Sequence, residues 1–209
     1  MKLKTLCLVC VLSASSALAQ TTVTVSTFNT AADFLALTDN AGELILNGDG
    51  SFAVGTFASP SEIANSFAVG NLLTDFNAVS NESPTTFGSP IDGIFNAAVS
   101  ASIPAGSALI GQPIFVVVGD SATLADSSSF AVFATPETFE AEVNGIGSET
   151  VNLFGNIAAA DVIVGSLEGP ISVGPASSTA TVAFAAIPEP SSALLAGLAL
   201  VGGLVRRRR

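Results

Sequence analysis

The sequence predicts a mainly β protein: an antiparallel β-sandwich with one or two short helices, flanked by an N-terminal signal helix and a C-terminal transmembrane helix. Three observations carry that prediction. Short apolar runs recur along the middle of the chain, bounded by Gly, Pro, Asn and Asp, which is the punctuation of strands. One such boundary, Asn47-Gly48-Asp49-Gly50, separates Leu44-Ile45-Leu46 from Phe52-Ala53-Val54; Asn-Gly and Asp-Gly tolerate the positive φ of tight hairpins. Both chain ends are apolar and carry basic residues, so they read as targeting segments outside the fold.

At the N-terminus, Lys2 and Lys4 precede an apolar stretch over residues 6–12. Small residues then lead to Ala17-Leu18-Ala19 and Gln20. This order of charge, apolar run and A-x-A motif is that of a secretory signal cut by signal peptidase after Ala19. Residues 1–19 are therefore a signal peptide, 20–185 an exported domain and 186–209 a tail. Cys7 and Cys10 both lie inside the signal. The mature chain thus has no disulfide, thiol nucleophile or cysteine ligand.

Within the domain, strands are expected at residues 22–27, 43–46, 51–57, 94–102, 114–118, 130–134, 150–154, 162–166 and 180–185. The hairpin at 47–50 is expected to join the second and third of them. Pro60-Ser61-Glu62 opens a helix expected over 61–78, with Ile63, Phe67, Leu72, Leu73 and Phe76 on its apolar face and Gly70 as its weak point. Ser-Phe-Ala-Val occurs three times, starting at Ser51, Ser66 and Ser129. The unequal spacing argues against a solenoid or propeller. Residues 169–178, rich in Gly, Pro and Ser, read as a loop or the start of a stalk.

Charge removes most chemistry from consideration. Every basic residue lies in the end segments, at Lys2, Lys4, Arg206, Arg207, Arg208 and Arg209, and there is no His. Of 17 acidic residues one, Glu189, lies in the tail, which leaves 17 − 1 = 16 in residues 20–187 and a formal charge of −16 there. Nucleic acid is excluded as a partner, since phosphate neutralisation needs Lys or Arg. Triads with a His or Lys base, imidazole or thiolate zinc sites, PLP chemistry and phosphoryl transfer all lack their essential groups. A carboxylate-dependent glycan hydrolase survives as an alternative, with Asp120, Asp126, Glu137, Glu140 and Glu142 as candidates. That domain offers no Trp or Tyr to stack sugars.

Calcium is the one cofactor the pattern admits. Asn47, Asp49 and Ser51 alternate oxygen ligands as calcium loops do, although Gly50 falls at the fourth loop position and not the sixth. An ordinary turn fits the same residues, and a solvated face fits the cluster Glu137, Glu140 and Glu142. Asn81-Glu82-Ser83 is a glycan sequon followed by Pro84. Thr22 and Thr24 alternate as an ice-binding face requires, but no repeat extends them.

The tail reads Ile187-Pro188-Glu189-Pro190, then an apolar run over 191–205, then four arginines. As a helix, residues 191–205 would span about 22 Å, short of a hydrocarbon core of roughly 30 Å. Snorkelling Arg206, Arg207, Arg208 and Arg209 can bridge that gap. They stay cytoplasmic by the positive-inside rule, leaving the acidic domain outside. Pro188, Glu189 and Pro190 with the apolar helix and basic end closely resemble the PEP-CTERM sorting signal, a tail also labelled an ice-binding-protein C-terminal domain. The resemblance implies an exosortase-like sorting protease as partner, which cuts near the motif, in Gram-negative bacteria that make extracellular polysaccharide. The expected protein is exported and anchored in the inner membrane by its C-terminal helix, then placed at the cell surface or in the extracellular matrix. It is expected to have no catalytic activity and to associate with extracellular polysaccharide. The alternatives are the glycan hydrolase and a calcium- or ice-binding surface module.

Overall fold

The computed structural model describes residues 20–79, 83–84, 91–143, 146–155 and 157–188. The signal-peptide residues Ala17 and Ala19, Glu189, Pro190, the run at 191–205, Arg206–Arg209 and most of the sequon at Asn81 lie outside them. Among the described residues, no helix is long and apolar enough to cross a membrane.

In chain order the strands are β1 (Gln20–Ser26), β2 (Phe28–Thr30), β3 (Asp33–Thr38), β4 (Ser51–Phe57), β5 (Phe76–Ala78), β6 (Ser83–Pro84), β7 (Asn96–Ala101) and β8 (Pro113–Gly119). They continue with β9 (Ser129–Thr138), β10 (Ile146–Asn152), β11 (Val162–Val164), β12 (Ser166–Glu168), β13 (Ser172–Val173), β14 (Ala176–Ser177), β15 (Ala180–Ala183) and β16 (Ala185–Ala186). Two short helices, α1 (Ile63–Ala68) and α2 (Leu72–Asp75), fall between β4 and β5. The chain is mainly β with few helices, as the sequence predicts.

The principal sheet has the order β11-β9-β8-β4-β5, with β16 on β9 and β6 on β4. Its central strands β4 and β8 are buried along almost their whole length because both faces are covered. Phe52, Val54, Ile114, Val116 and Val118 enter one core; Ala53, Phe57, Phe115 and Val117 enter a second core on the opposite face. The first core is completed by Val23 and Val25 of the sheet β10-β1-β7, and by Leu35, Leu37 and Val182 of the sheet β12-β15-β3-β2. Phe52 and Phe95 stack there with centroids 5.1 Å apart. The second core is roofed by Ile63 and Leu72 of the helices and by Leu124 of a 3-10 turn at Leu124–Asp126.

Several expectations change. The pairing is not antiparallel throughout: β1 runs parallel to β10, and β15 parallel to β3. Those partners are far apart in sequence, and parallel neighbours need long crossovers. Residues 43–46 form no strand; only an isolated bridge joins Thr38 to Leu44. The expected hairpin is therefore absent, and β4 takes β8, β5 and β6 as neighbours instead. The single helix over 61–78 breaks at Gly70, whose φ of +77° closes α1. The Gly70 amide donates to the Phe67 carbonyl at 3.0 Å and the Asn71 amide to that of Ser66 at 2.7 Å, the paired bonds of a Schellman cap. Phe76 then continues as β5, not helix.

The expected strand 162–166 is split at Gly165, where φ is +99°. A Cβ there would come within 2.8 Å of the Ala183 carbonyl oxygen. The kink moves the chain from the principal sheet to β12 in another. Residues 169–178 hold a small hairpin of β13 and β14. The strand Asp33–Thr38, with Phe34 to Thr38 all buried, was not expected.

Candidate functional site: the acidic cleft and the chain exit

Strands β4, β8, β9 and β16 bring one sheet end together, because Ser51 pairs with Gly119, Gly119 with Phe130, and Phe130 with Ala185. Two features meet at this end. One is a cleft of about 370 Å³ lined by Asp39, Glu43, Asp49 and Asp120. The other is the last described stretch of the chain, Ala185–Pro188.

Asp120 follows β8 directly and holds the start of β9. Its Oδ1 accepts the amides of Ser128 at 2.7 Å and Ser129 at 3.1 Å, and its Oδ2 accepts both of their hydroxyls at 2.7 Å. Burial acts to raise this carboxyl, but the four hydrogen bonds outweigh it and hold Asp120 below the ordinary carboxylate range. Asp39 similarly accepts the amides of Ala41 and Glu43, at 2.8 and 2.9 Å. These acids fix loops through donors of the backbone and of serine, which is how a domain without basic residues satisfies its carboxylates.

The calcium candidates separate. Asn47 and Asp49 sit in an exposed turn, and the Asn47 amide donates to Asp92 at 3.0 Å. Ser51 is fully buried in β4, and its hydroxyl has no partner. Only Asp49 of the three lines the cleft. Among the described residues, no group of three or more His, Cys, Asp or Glu is arranged to hold a metal.

The glycosidase candidates also divide. Asp120 and Asp126 lie at the start of β9, and Asp126 accepts the Thr123 hydroxyl at 2.7 Å. Glu137 is eight residues along from Ser129, about 26 Å at strand spacing, whereas paired catalytic carboxylates lie within about 10 Å. At the far end, Glu142 Oε1 accepts the Ile103 amide at 2.7 Å. Its other oxygen, and one of Glu137, are buried without a partner. Burial, then the charges of Glu140 and Glu137, push Glu149 above the usual range. Thr22 and Thr24 point away from the core on β1, in register with Ser148 and Thr150 of β10 and, for Thr22, with Ser100 of β7.

The chain exit is tightly tied. The Phe184 amide donates to the Thr38 carbonyl at 3.0 Å, β16 pairs with β9, and the Ile187 amide donates to Ser128 at 2.9 Å. Pro188 follows immediately as the first residue of the Pro-Glu-Pro motif. The Asp120 clamp and the exit thus share Ser128: its amide and hydroxyl hold Asp120, and its carbonyl holds Ile187. Sequence reasoning singled out Asp120 as an acid but missed the clamp, which needs Ser128 and Ser129 to return eight and nine residues later.

Residues 186–209 match the family described as the PEP-CTERM protein-sorting motif, in agreement with the resemblance read from the Pro-Glu-Pro motif, apolar run and arginines. The match marks an exported protein sorted at the membrane by exosortase-type machinery. No curated protein and no solved structure matches the chain.

Proposed function

We propose that this exported, membrane-sorted chain delivers a non-enzymatic, acidic β-sandwich domain to the cell surface or extracellular matrix, where it associates with polysaccharide. The carrying observation is the exit itself. The described fold runs to Ile187, hydrogen-bonded to Ser128; the matched sorting segment, residues 186–209, already includes that residue, and Pro188-Glu189-Pro190 follows it. In this reading a folded cargo is joined directly to its address. The acids of the domain support the reading, since Asp39, Asp120, Asp126 and Asp161 all accept bonds from local amides or hydroxyls as structural groups do. The polysaccharide association rests on the character of the sorting tail.

In this reading the signal is removed after Ala19, the apolar run at 191–205 holds the protein in the inner membrane, and a sorting protease acts at Pro188-Glu189-Pro190. Localising a tagged chain with and without residues 188–209 tests it. The intact chain should reach the surface through the membrane fraction, and the truncated one should remain soluble in the periplasm. Replacing Pro188, Glu189 and Pro190 by Ala should leave signal cleavage normal and trap the chain in the inner membrane. Glycan turnover by the purified protein, abolished by one Asp→Asn change, would replace this reading with the hydrolase.

A further inference from the structure

The exit end carries an apolar groove of about 210 Å³ on the helix-covered face of the principal sheet. Its wall is built by Phe67 before the Gly70 cap, Leu72 and Leu73 of α2, Leu124 and Phe130, and it is closed by Ile187. Among the described residues that line it, none is charged, in a domain that otherwise carries 17 − 1 = 16 carboxylates. The two acids nearest in sequence are exposed and lie outside its lining: Asp75 accepts the Ser66 hydroxyl at 2.5 Å and Asp126 that of Thr123 at 2.7 Å. Beside the groove, Val69 is 70% exposed, and Leu73 and Ile187 are each 37% exposed.

We propose that this groove and its apolar rim are a membrane-docking face, pressed against the lipid surface that holds the tail. The proposal rests on the reading of residues 191–205 as a membrane segment. The tether decides the geometry. Ile187 is fixed to Ser128, and the apolar run starts at Ser191, four residue steps or at most about 14 Å away. The headgroup layer takes up about 6 Å of that length. On this reading Ile187 lies within roughly 8 Å of the lipid surface, and the face around it is the part of the domain that the tether brings nearest to lipid. An uncharged apolar face gains by lipid contact what a carboxylate would lose in hydration.

The groove, of about 210 Å³, is below the usual span of small-molecule pockets, about 300–1,000 Å³, and too small to enclose a helix of 15 residues, about 22 Å long and 10 Å wide; the tail could only lie along it, which the double variant below tests. Exposure alone does not define the face. Val143 is 72% exposed, but it lies beyond the far end of β9, whose ten residues span about 30 Å.

The test uses the mature chain, residues 20–209, which has no cysteine of its own, reconstituted in phosphatidylethanolamine and phosphatidylglycerol vesicles carrying a headgroup-level spin-labelled lipid. A fluorophore is attached in turn through Val69→Cys, Leu73→Cys, Val143→Cys and Leu198→Cys, the first three at exposed positions that leave both cores intact. Several-fold stronger quenching at positions 69 and 73 than at 143, with 198 shielded from aqueous iodide, is the expected result. Shielding at 198 with equal quenching at 69, 73 and 143 overturns the docking face and leaves the anchor standing. Free access of iodide to 198 removes the anchor, and the docking face falls with it. Ready disulfide formation in the double variant Val69→Cys/Leu198→Cys would assign the groove to the tail and overturn docking on lipid.

Discussion

The tetrapeptide Ser-Phe-Ala-Val sits at residues 51–54 in β4 and again at 66–69, over the last turn of α1 and its cap. In β4 all four residues are buried; in the helix Phe67 is half-buried and Val69 stands 70% exposed. The two copies share every local preference, so the difference comes from their flanks. The second copy follows Pro60, which starts a 3-10 turn, and ends at Gly70, which caps the helix. Helical spacing puts Phe67 on the same face as Ile63, four residues earlier, and turns Val69 outward. The first copy is held between β8 and β6, where a period of two sends Phe52 and Val54 into one core and Ala53 into the other. Beta preference is a statement about neighbours more than about the backbone.

A third copy, at 129–132 in β9, sharpens the point. It is also a strand, yet Phe130 and Val132 enter the second core and Ala131 the first. The register places Phe52 opposite Val118 but Phe130 opposite Gly119, and a shift of one residue exchanges the faces.

The largest expected effect separates the two phenylalanines. Phe52→Ala leaves a cavity against Phe95 and should cost about 3–5 kcal/mol in urea unfolding, while Phe67→Ala should cost less than half as much. Equal losses would mean that α1 is as integral to the core as β4. The glycines that follow each copy differ next. A Cβ on Gly55 would collide with the Asn77 carbonyl and the Phe76 ring, so Gly55→Ala should cost about 1–3 kcal/mol by overpacking and loosen β5. Gly70 has open space but a φ of +77°, so Gly70→Ala should cost about 1–2 kcal/mol from strain alone. Hydrogen exchange at residues 76–78 should accelerate in the first variant only.

The serines that open the two strand copies give a smaller effect of opposite sign. Ser129 donates its hydroxyl to Asp120 at 2.7 Å, whereas the buried Ser51 hydroxyl has no partner. Ser129→Ala should therefore destabilise by about 1 kcal/mol, and Ser51→Ala should be neutral or stabilising. The pH dependence of stability tells these apart. Asp120 is held low in the folded state, so its contribution is fully present above the unfolded value of about 3.9 and is lost as pH falls through the folded value. Ser129→Ala raises that folded value and makes acid unfolding less steep below pH 4, while Ser51→Ala leaves the slope unchanged. Smallest of all, Val69→Ser should shift stability by less than about 0.5 kcal/mol, a thermal melt indistinguishable from the parent.

What was legible in the sequence follows the same division between local and distant causes. Ser51–Phe57 was expected with the bounds it has, because Phe52, Ala53, Val54 and Phe57 lie in one stretch between the breakers Gly50 and Pro60. The Pro-Glu-Pro tail was legible for the same reason: its motif is linear. Asp33–Thr38 was missed because Phe-Leu-Ala-Leu lacks β-branched residues, and nothing local shows that it pairs with Ala180–Ala183. The calcium trio was drawn from alternation within one turn, but Ser51 already belongs to the strand and turns inward. The acidic cleft and the apolar groove each collect residues from separate stretches, so no window of sequence displays either.

The bond from the Thr179 hydroxyl to the Phe34 carbonyl, 2.8 Å long, joins residues 145 apart. Closing a loop of that length costs on the order of 4 kcal/mol in chain entropy before any contact rewards it. The sheet β12-β15-β3-β2 cannot assemble until almost the whole chain is available, and such non-local pairing is slow. For a polypeptide exported from its N-terminal end, this lateness is protective. While the tail is still inside the cell, β3 waits outside without its partner, and this sheet stays open until the end of the chain has passed through.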